Sequence, residues 1–150
     1  MEVSNRAEGL KETYDVAGRD FSSAGAASSR IKRILQQIGV DQGIIRRIAV
    51  SSYEAEMNLV IHASNGGRIT LDISPDAVTI LVEDDGPGIT DIKKAMQPGY
   101  STASDEIREM GFGAGMGLSN IKNFSDSFSI TSQVGKGTYL KMIIHVKDAE

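Results

Sequence analysis

Three polar side chains recur at four-residue intervals along one segment of the sequence: Glu54, Asn58 and His62. In a helix, this spacing places them along one face. A carboxylate can accept a proton from a hydroxyl group, and a carboxamide oxygen one turn further on is a hard ligand that suits Mg²⁺. The alternative is a solvated polar stripe in which His62 is a structural histidine near the helix end. Asparagine disfavours helices and tends to occur in them for a hydrogen bond, so the stripe is a candidate site.

A glycine-rich run from Gly111 to Leu118 has glycine at every second position. Such a backbone can expose its N–H groups, and a helix beginning near Leu118 would add the positive end of its dipole, which suits a phosphate. A flexible loop is the alternative. The run does not fit the dinucleotide fingerprint, because the required sixth position holds Met116 or Leu118. It is not a Walker loop either, because the Gly135-Lys136 pair is followed by Gly137.

Asp84 follows an apolar strand pattern directly and precedes Gly86 and Gly88. This composition is ordinary for a turn. It also fits a site in which the carboxylate accepts a hydrogen bond from an exocyclic amine, while the glycines let a flat base approach the backbone. Such an acceptor would select adenine over guanine, because a keto oxygen would leave two acceptors unpaired.

Two helices are predicted upstream of these groups. Ser22 or Ser23 can cap the first, which carries an apolar stripe and ends at Gly39. Asp41 can cap the second, longer helix, which ends before Gly66 and carries the polar stripe.

Strand patterns occupy most of the remaining chain. A short strand is predicted over residues 13–17, a hairpin over residues 68–82, and two further strands over residues 128–130 and 139–146. Short helices are predicted at residues 92–96 and 118–124. The order predicts an α+β fold, a two-layer sandwich with helices on one face of a mixed, mostly antiparallel sheet. Residues 1–12 are predicted to be a flexible N-terminus and residues 13–147 to form one domain.

Composition narrows the functional classes. The chain has 150 residues, a net charge of −4 and no cysteine, and its pI is about 5.2. An acidic chain lacks the cationic field that nucleic-acid and membrane-surface binders need, so neither partner is expected. Without a long apolar run or an N-terminal apolar core, the sequence favours a cytoplasmic protein.

Four motifs in this order resemble the four boxes of the Bergerat-type ATP-binding fold, which gyrase, MutL and histidine kinases share. They are Glu54-x-x-x-Asn58, Asp84-x-Gly86-x-Gly88, Gly113-Ala114-Gly115-Met116-Gly117 and the turn Gly135-Lys136-Gly137-Thr138. Within this superfamily the chain most resembles the anti-sigma-factor and switch serine kinases, from residue 13 to residue 146. Glu56 is a departure, because it adds a second carboxylate to the helical box.

The resemblance implies roles for particular residues. Glu54 matches the catalytic base, Asn58 the Mg²⁺ ligand and Asp84 the adenine acceptor, while Thr138 lies beside the adenine. Residues 99–115 match the ATP lid, in which Arg108 is either a γ-phosphate contact or a solvated arginine. The other implied nucleotide-binding residues are Gly86, Gly88, Ser101, Thr102, Gly113, Ala114, Gly115, Met116, Gly117 and Leu118.

The predicted function is that of an ATP- and Mg²⁺-dependent serine/threonine protein kinase of the anti-sigma-factor or switch type. Its protein substrate would be a small antagonist carrying a serine or threonine, and a sigma factor or another regulator is a further expected partner. Two alternatives stay open: the ATP-binding half of a split histidine kinase, and a nucleotide-gated anti-sigma binding module with little catalysis. The oligomeric state, monomer or homodimer, is also open.

Overall fold

The computed structural model describes residues 10–63, 66–84 and 117–146. In chain order these residues form β1 (Leu10–Val16), a short 3-10 helix (Phe21–Ser23), α1 (Ala26–Gln37), α2 (Gln42–His62), β2 (Gly67–Ile73), β3 (Ala77–Asp84), α3 (Gly117–Phe124), β4 (Ser127–Gln133) and β5 (Gly137–His145). The predicted helix at residues 92–96 lies outside the described residues.

The strands form one five-stranded sheet in the order β1-β2-β3-β5-β4. Every strand pairing within the described residues is antiparallel, which agrees with the predicted mostly antiparallel sheet. Apolar residues alternate with polar ones along the three central strands, β2, β3 and β5. As expected from this alternation, one face of these strands is buried. The buried residues are Ile69, Leu71, Ile73, Val78, Ile80, Val82, Leu140, Met142 and Ile144.

The helices cover this buried face. Ile31 and Leu35 of α1, Ile48 of α2 and Ile121 of α3 belong to the same apolar core as the strand residues, and all four are fully buried. The other face of the sheet carries exposed polar side chains such as Arg68. The two-layer α+β architecture predicted from the order of the patterns is therefore confirmed.

Two predicted boundaries are wrong. β1 begins at Leu10 rather than at residue 13, because residues 10–12 pair with the last residues of β2; they are therefore not part of a flexible N-terminus. Ser22 and Ser23 do not cap α1, since they belong to a 3-10 turn that is capped by the side chain of Asp20. α1 begins after Gly25, whose φ of 98° separates the turn from the helix. The predicted cap of α2 is confirmed, because Asp41 accepts a hydrogen bond from the Gly43 N–H at 3.0 Å.

The N-terminus of α1 is capped by a side chain from α2. The Glu56 carboxylate is 2% exposed and accepts hydrogen bonds from the backbone N–H groups of Gly25 at 3.0 Å, Ala27 at 3.2 Å and Ser28 at 2.9 Å. The first N–H groups of a helix have no partner within the helix, and a negative charge there also interacts favourably with the helix dipole. Glu56 therefore joins α1 to α2, which gives the second carboxylate of the helical motif a structural role.

Replacing Glu56 with alanine should lower the free energy of unfolding by about 3 kcal/mol, because three N–H groups lose a charged acceptor in a buried place. Glu54→Ala is the matched control: it removes the same group two residues away on α2, and we expect it to change stability by less than about 1 kcal/mol. Urea unfolding of both variants measures the difference. Equal losses of stability would contradict the capping role.

Candidate functional site

Glu54 and Asn58 lie one turn apart on α2, and both side chains are half-buried. Their orientation follows from the buried face of α2, because Ala55, Leu59 and Glu56 point into the protein. Burial raises the pKa of the Glu54 carboxyl above its ordinary value. A half-buried carboxylate of raised pKa is a better proton acceptor than a fully solvated one.

The second group of candidate residues lies at one end of the sheet. Asp84, the last residue of β3, is paired with Gly67 of β2 on one side and with Thr138 of β5 on the other. Thr138 in turn is paired with Ser132 of β4. Residues paired in this way have their side chains on the same face of the sheet, so Asp84, Thr138 and Ser132 form a polar row on the face that the helices cover.

Hydroxyl groups are held close together in this row. The Ser132 Oγ lies 2.9 Å from the Thr138 Oγ1 and 3.2 Å from the carbonyl oxygen of Gly137. An open depression of about 520 Å³ at this end of the sheet is lined by Asp84, Ser132, Thr138 and neighbouring residues of the β4–β5 turn. A carboxylate and two hydroxyls beside such a depression can recognise a planar polar ligand.

Glycines allow the strands to approach Asp84 closely. A Cβ atom on Gly137, whose φ is 117°, would collide with the Asp84 carbonyl oxygen. A Cβ atom on Gly67 would collide with the Glu83 carbonyl oxygen and would lie 3.1 Å from the Asp84 Cβ. The backbone around Asp84 is therefore packed in a way that only glycine allows on either side.

His62, the last member of the polar stripe, connects α2 electrostatically to this end of the sheet. Part of the His62 side chain reaches solvent. Desolvation by the surrounding protein nevertheless lowers the pKa of its imidazole, because it disfavours the charged form. The charge of Arg19 also lowers it, while Asp84 acts in the opposite direction. Arg19 has a left-handed φ of 64°, and its N–H donates to the Val60 carbonyl at 2.8 Å. A residue held in that conformation often lies near a functional site.

The structure shows the placement of some predicted site residues and not of others. Gly117 and Leu118 begin α3, as expected, and α3 packs against α2, which carries Glu54 and Asn58. The remaining predicted residues lie outside the described part of the chain: Gly86, Gly88, Ser101, Thr102, Arg108, Gly113, Ala114, Gly115 and Met116. The roles of all these residues remain predictions.

The donor set on α2 suits one kind of metal site. Within residues 10–63, 66–84 and 117–146 no three His, Cys, Asp or Glu side chains are grouped so that they could hold a metal ion. Mg²⁺ does not need such a cage, because it keeps several waters and commonly uses one or two protein oxygens together with substrate phosphates. The Asn58 oxygen, with the Glu54 carboxylate one turn away, fits that pattern.

The sequence patterns did not single out Ser132 or Gly67, which strand pairing places beside Thr138 and Asp84. Gly67 directly follows Gly66, before which the second helix is predicted to end, and Ser132 lies beyond the strand predicted over residues 128–130. Strand register decides which residues Ser132 and Gly67 lie beside. The sequence indicates register only through the alternation of apolar and polar residues in β2, β4 and β5.

None of the helices in the described parts of the chain is long and apolar enough to cross a membrane.

Comparison with known proteins identifies the class. Residues 20–144 match the histidine kinase-like ATPase domain. Because this match covers most of the chain, the protein belongs to the family of histidine kinase-like ATPase domains. ATP is the nucleotide that such a domain implies, and the resemblance to the Bergerat-type superfamily is confirmed.

Individual relatives include anti-sigma F factors and a serine/threonine-protein kinase. The anti-sigma F factor of Thermoanaerobacter sp. (strain X514) is 39% identical over 106 residues, which cover 68% of this chain and 71% of that protein. The serine/threonine-protein kinase RsbT of Bacillus subtilis (strain 168) is 32% identical over 124 residues, which cover 79% of this chain and 85% of that protein. The predicted resemblance to both groups is therefore confirmed.

A solved structure with low sequence identity shares the fold. The crystal structure of the RsbU and RsbW domains of a Mycobacterium tuberculosis protein has a TM-score of 0.62 and 16% sequence identity. The match covers 94% of this chain and 34% of that one, so this chain spans about a third of the larger protein.

Two glycines of one turn provide a test of the packing around Asp84. Gly137→Ala should destabilise the protein by more than 2 kcal/mol, since its strained φ is combined with a collision, and it should weaken ATP binding roughly tenfold by moving Asp84. Gly135→Ala, with φ of 83° and open space at the Cβ position among the described residues, should lose only about 1 kcal/mol. Urea unfolding and ATP titration measure both effects. Equal behaviour of the two variants would contradict the close approach.

The raised pKa of Glu54 predicts how stability depends on pH. The folded state holds the Glu54 proton more tightly than the unfolded state, so ionisation of this group destabilises the fold as pH rises above about 4.3, the ordinary pKa of glutamate. Glu54→Gln should therefore gain stability relative to the wild type as pH increases from about 4 to 7. Urea unfolding at several pH values tests this, and a relative loss of stability with rising pH would contradict the assignment.

Proposed function

We propose that the protein is an ATP- and Mg²⁺-dependent serine/threonine kinase that phosphorylates a small antagonist protein and thereby controls a transcription or stress regulator. The observation that carries the proposal is the pair Glu54 and Asn58, half-buried one turn apart on α2. A relative of 32% identity is named a serine/threonine-protein kinase, and this name supports the same reaction. Phosphoryl transfer depends mainly on positioning and charge stabilisation.

Adenine would bind at the end of the sheet. The Asp84 carboxylate would accept a hydrogen bond from the exocyclic amine of the base. The hydroxyl of Thr138, which lies 2.9 Å from that of Ser132, would lie beside the ring. This carboxylate would favour adenine over guanine, because the keto group of guanine would place an acceptor against an acceptor.

The phosphates would extend from the sheet towards the start of α3. The N-terminus of α3 at Gly117 and Leu118, together with the glycines before it, would offer N–H groups to them. Asn58 would hold Mg²⁺, which would neutralise phosphate charge when bound. Gly86, Gly88, Ser101, Thr102 and Arg108 are proposed as further contacts on the strength of the sequence motifs alone.

Glu54 would act as the base. Its carboxylate would take the proton of a substrate serine or threonine hydroxyl, whose oxygen would form a bond to the γ-phosphorus. The bond between that phosphorus and the β–γ bridging oxygen would break, and ADP would leave. The raised pKa of Glu54 favours this role, because a base works best when its pKa is near the working pH.

A second function is favoured by a separate observation. The relative of 39% identity is named an anti-sigma F factor, which supports a nucleotide-gated module that binds a sigma factor with little catalysis. The split histidine kinase has less support. The two histidines of the chain are His62, within the stripe itself, and His145, at the end of β5, so the acceptor histidine would have to belong to another chain.

The decisive experiment compares Glu54→Ala with Asn58→Ala. Without its base, Glu54→Ala should transfer phosphate about 10²–10⁴-fold more slowly while its ATP affinity stays almost unchanged. Asn58→Ala should bind Mg²⁺-ATP more weakly, and excess Mg²⁺ should partly restore binding. Single-turnover labelling of candidate antagonist proteins with γ-labelled ATP measures transfer, and calorimetry measures affinity.

The labelled residue separates the candidate functions. Label on serine or threonine supports the kinase, label on histidine supports the split histidine kinase, and binding without label supports the gated module. Gln42→Ala, an exposed change at the start of the same helix, is the control and should alter neither quantity. If Glu54→Ala transfers phosphate at the wild-type rate, its proposed role as base is wrong.

A further inference from the structure

The guanidinium group of Arg47, on α2, caps the C-terminus of α3. Its Nε and Nη2 atoms donate to the Phe124 carbonyl oxygen at 3.0 Å and 2.7 Å. Phe124 is the last residue of α3, where carbonyl groups lack partners within the helix and a positive charge is favourable. The contact joins residues that are 77 positions apart in the sequence.

Asp126 extends this contact to the sheet. Its Oδ1 atom lies 3.2 Å from the Arg47 Nη2, and its Oδ2 atom accepts a hydrogen bond of 2.7 Å from the backbone N–H of His145. These hydrogen bonds, with that from the His145 N–H as the largest cause, lower the pKa of the Asp126 carboxyl. We refer to Arg47, Phe124, Asp126 and His145 as the α3 clamp. The clamp fixes one end of α3 to both α2 and β5.

The location of the clamp matters because α2 and α3 carry different parts of the proposed site. α2 provides Glu54 and Asn58, and the opposite end of α3 begins at Gly117 in the glycine-rich run. α3 is only 8 residues long. Because so short a helix moves as a rigid unit, a small tilt or shift at Phe124 also moves Gly117 at its other end. The separation of the base from the phosphate-binding end therefore depends on how α3 is held against α2.

We propose that Arg47 is a positioning residue that sets the register of α3 on α2 and thereby the placement of nucleotide phosphates relative to Glu54 and Asn58. This inference rests on the proposed phosphate-binding role of Gly117 and Leu118. The Arg47 side chain is 33% exposed, as is that of Asp126. Exposed ion pairs contribute little to stability, so the main effect of the clamp is geometric. Misplacement by about 1 Å can slow phosphoryl transfer up to 10²-fold.

Arg47→Met tests the inference, because methionine keeps an unbranched side chain but cannot donate. Arg46→Met is the matched control: it removes the same charge from an exposed neighbouring position that has no contact with Phe124 or Asp126 among those described. The affinities of both variants and the wild type for AMP, ADP and a non-hydrolysable ATP analogue are measured with Mg²⁺ well below the unfolding temperature. Asp126→Asn, which keeps an acceptor for His145 but loses the ion pair, is the second variant.

We expect Arg47→Met to bind the ATP analogue about tenfold more weakly and to bind AMP as the wild type does, since AMP lacks the β- and γ-phosphates. Asp126→Asn should change in the same direction by a smaller factor, and Arg46→Met should not change. The melting temperature of Arg47→Met should fall by no more than about 2–4 °C. Equal weakening for AMP and the analogue would indicate a merely structural role and overturn the proposal, as would unchanged binding of both.

Phosphotransfer by the wild type decides a separate question. A wild type that binds the ATP analogue but transfers no phosphate would refute the kinase, while the comparison of nucleotide affinities would still decide the role of Arg47. If the wild type does transfer phosphate, Arg47→Met should also transfer it at least tenfold more slowly at saturating ATP.

Discussion

The arrangement of the helical layer depends on one buried charge, the Glu56 carboxylate at the N-terminus of α1. Taking a carboxylate out of water is unfavourable unless it is fully hydrogen-bonded, and three backbone N–H groups meet that condition here. Residues two apart on a helix differ in direction by about 200°. Because Glu56 must point towards α1, Glu54 and Asn58 are turned to the other side of α2. The proposed base and metal ligand thus owe their orientation to a residue with no proposed chemistry.

α2 contacts its two neighbouring helices through side-chain charges that are opposite in sign to the partial charges of the helix ends. Glu56 is negative and lies at the N-terminus of α1, whereas Arg47 is positive and lies at the C-terminus of α3. α2 is also the longest helix in the described part of the chain, with 21 residues. Its length lets one rigid element hold both shorter helices and also carry the polar stripe, which begins at Glu54, between the two contacts, and continues beyond Glu56 to Asn58 and His62. Side chains on rigid helices and strands are positioned more precisely than side chains on loops.

The sheet contributes a different constraint, which is backbone proximity. Asp84 ends its strand between Gly67 and Gly137, and side chains at those positions would collide with backbone atoms. The hydroxyls of Thr138 and Ser132 continue the row across β5 and β4. The Asp84 carboxylate is held by strand pairing rather than by a loop, so it loses little conformational freedom when a ligand binds. A rigid group of this kind favours selective binding of one ligand over adaptation to several.

Local features of the sequence determined much of this protein. Alternating apolar residues predicted the central strands, Asp41 predicted the start of α2, and the four-residue spacing predicted the common face of Glu54 and Asn58, because each depends on neighbours within a few positions. The motifs also indicated the correct family. Only the tertiary structure decided the role of Glu56, the start of α1 at Gly25, the place of Ser132 beside Thr138 and the contact of Arg47 with Phe124. Each of these depends on strand register or on backbone groups distant in the chain. Every residue except proline carries the same backbone N–H and carbonyl groups, so the sequence does not indicate which partner such a group will bind.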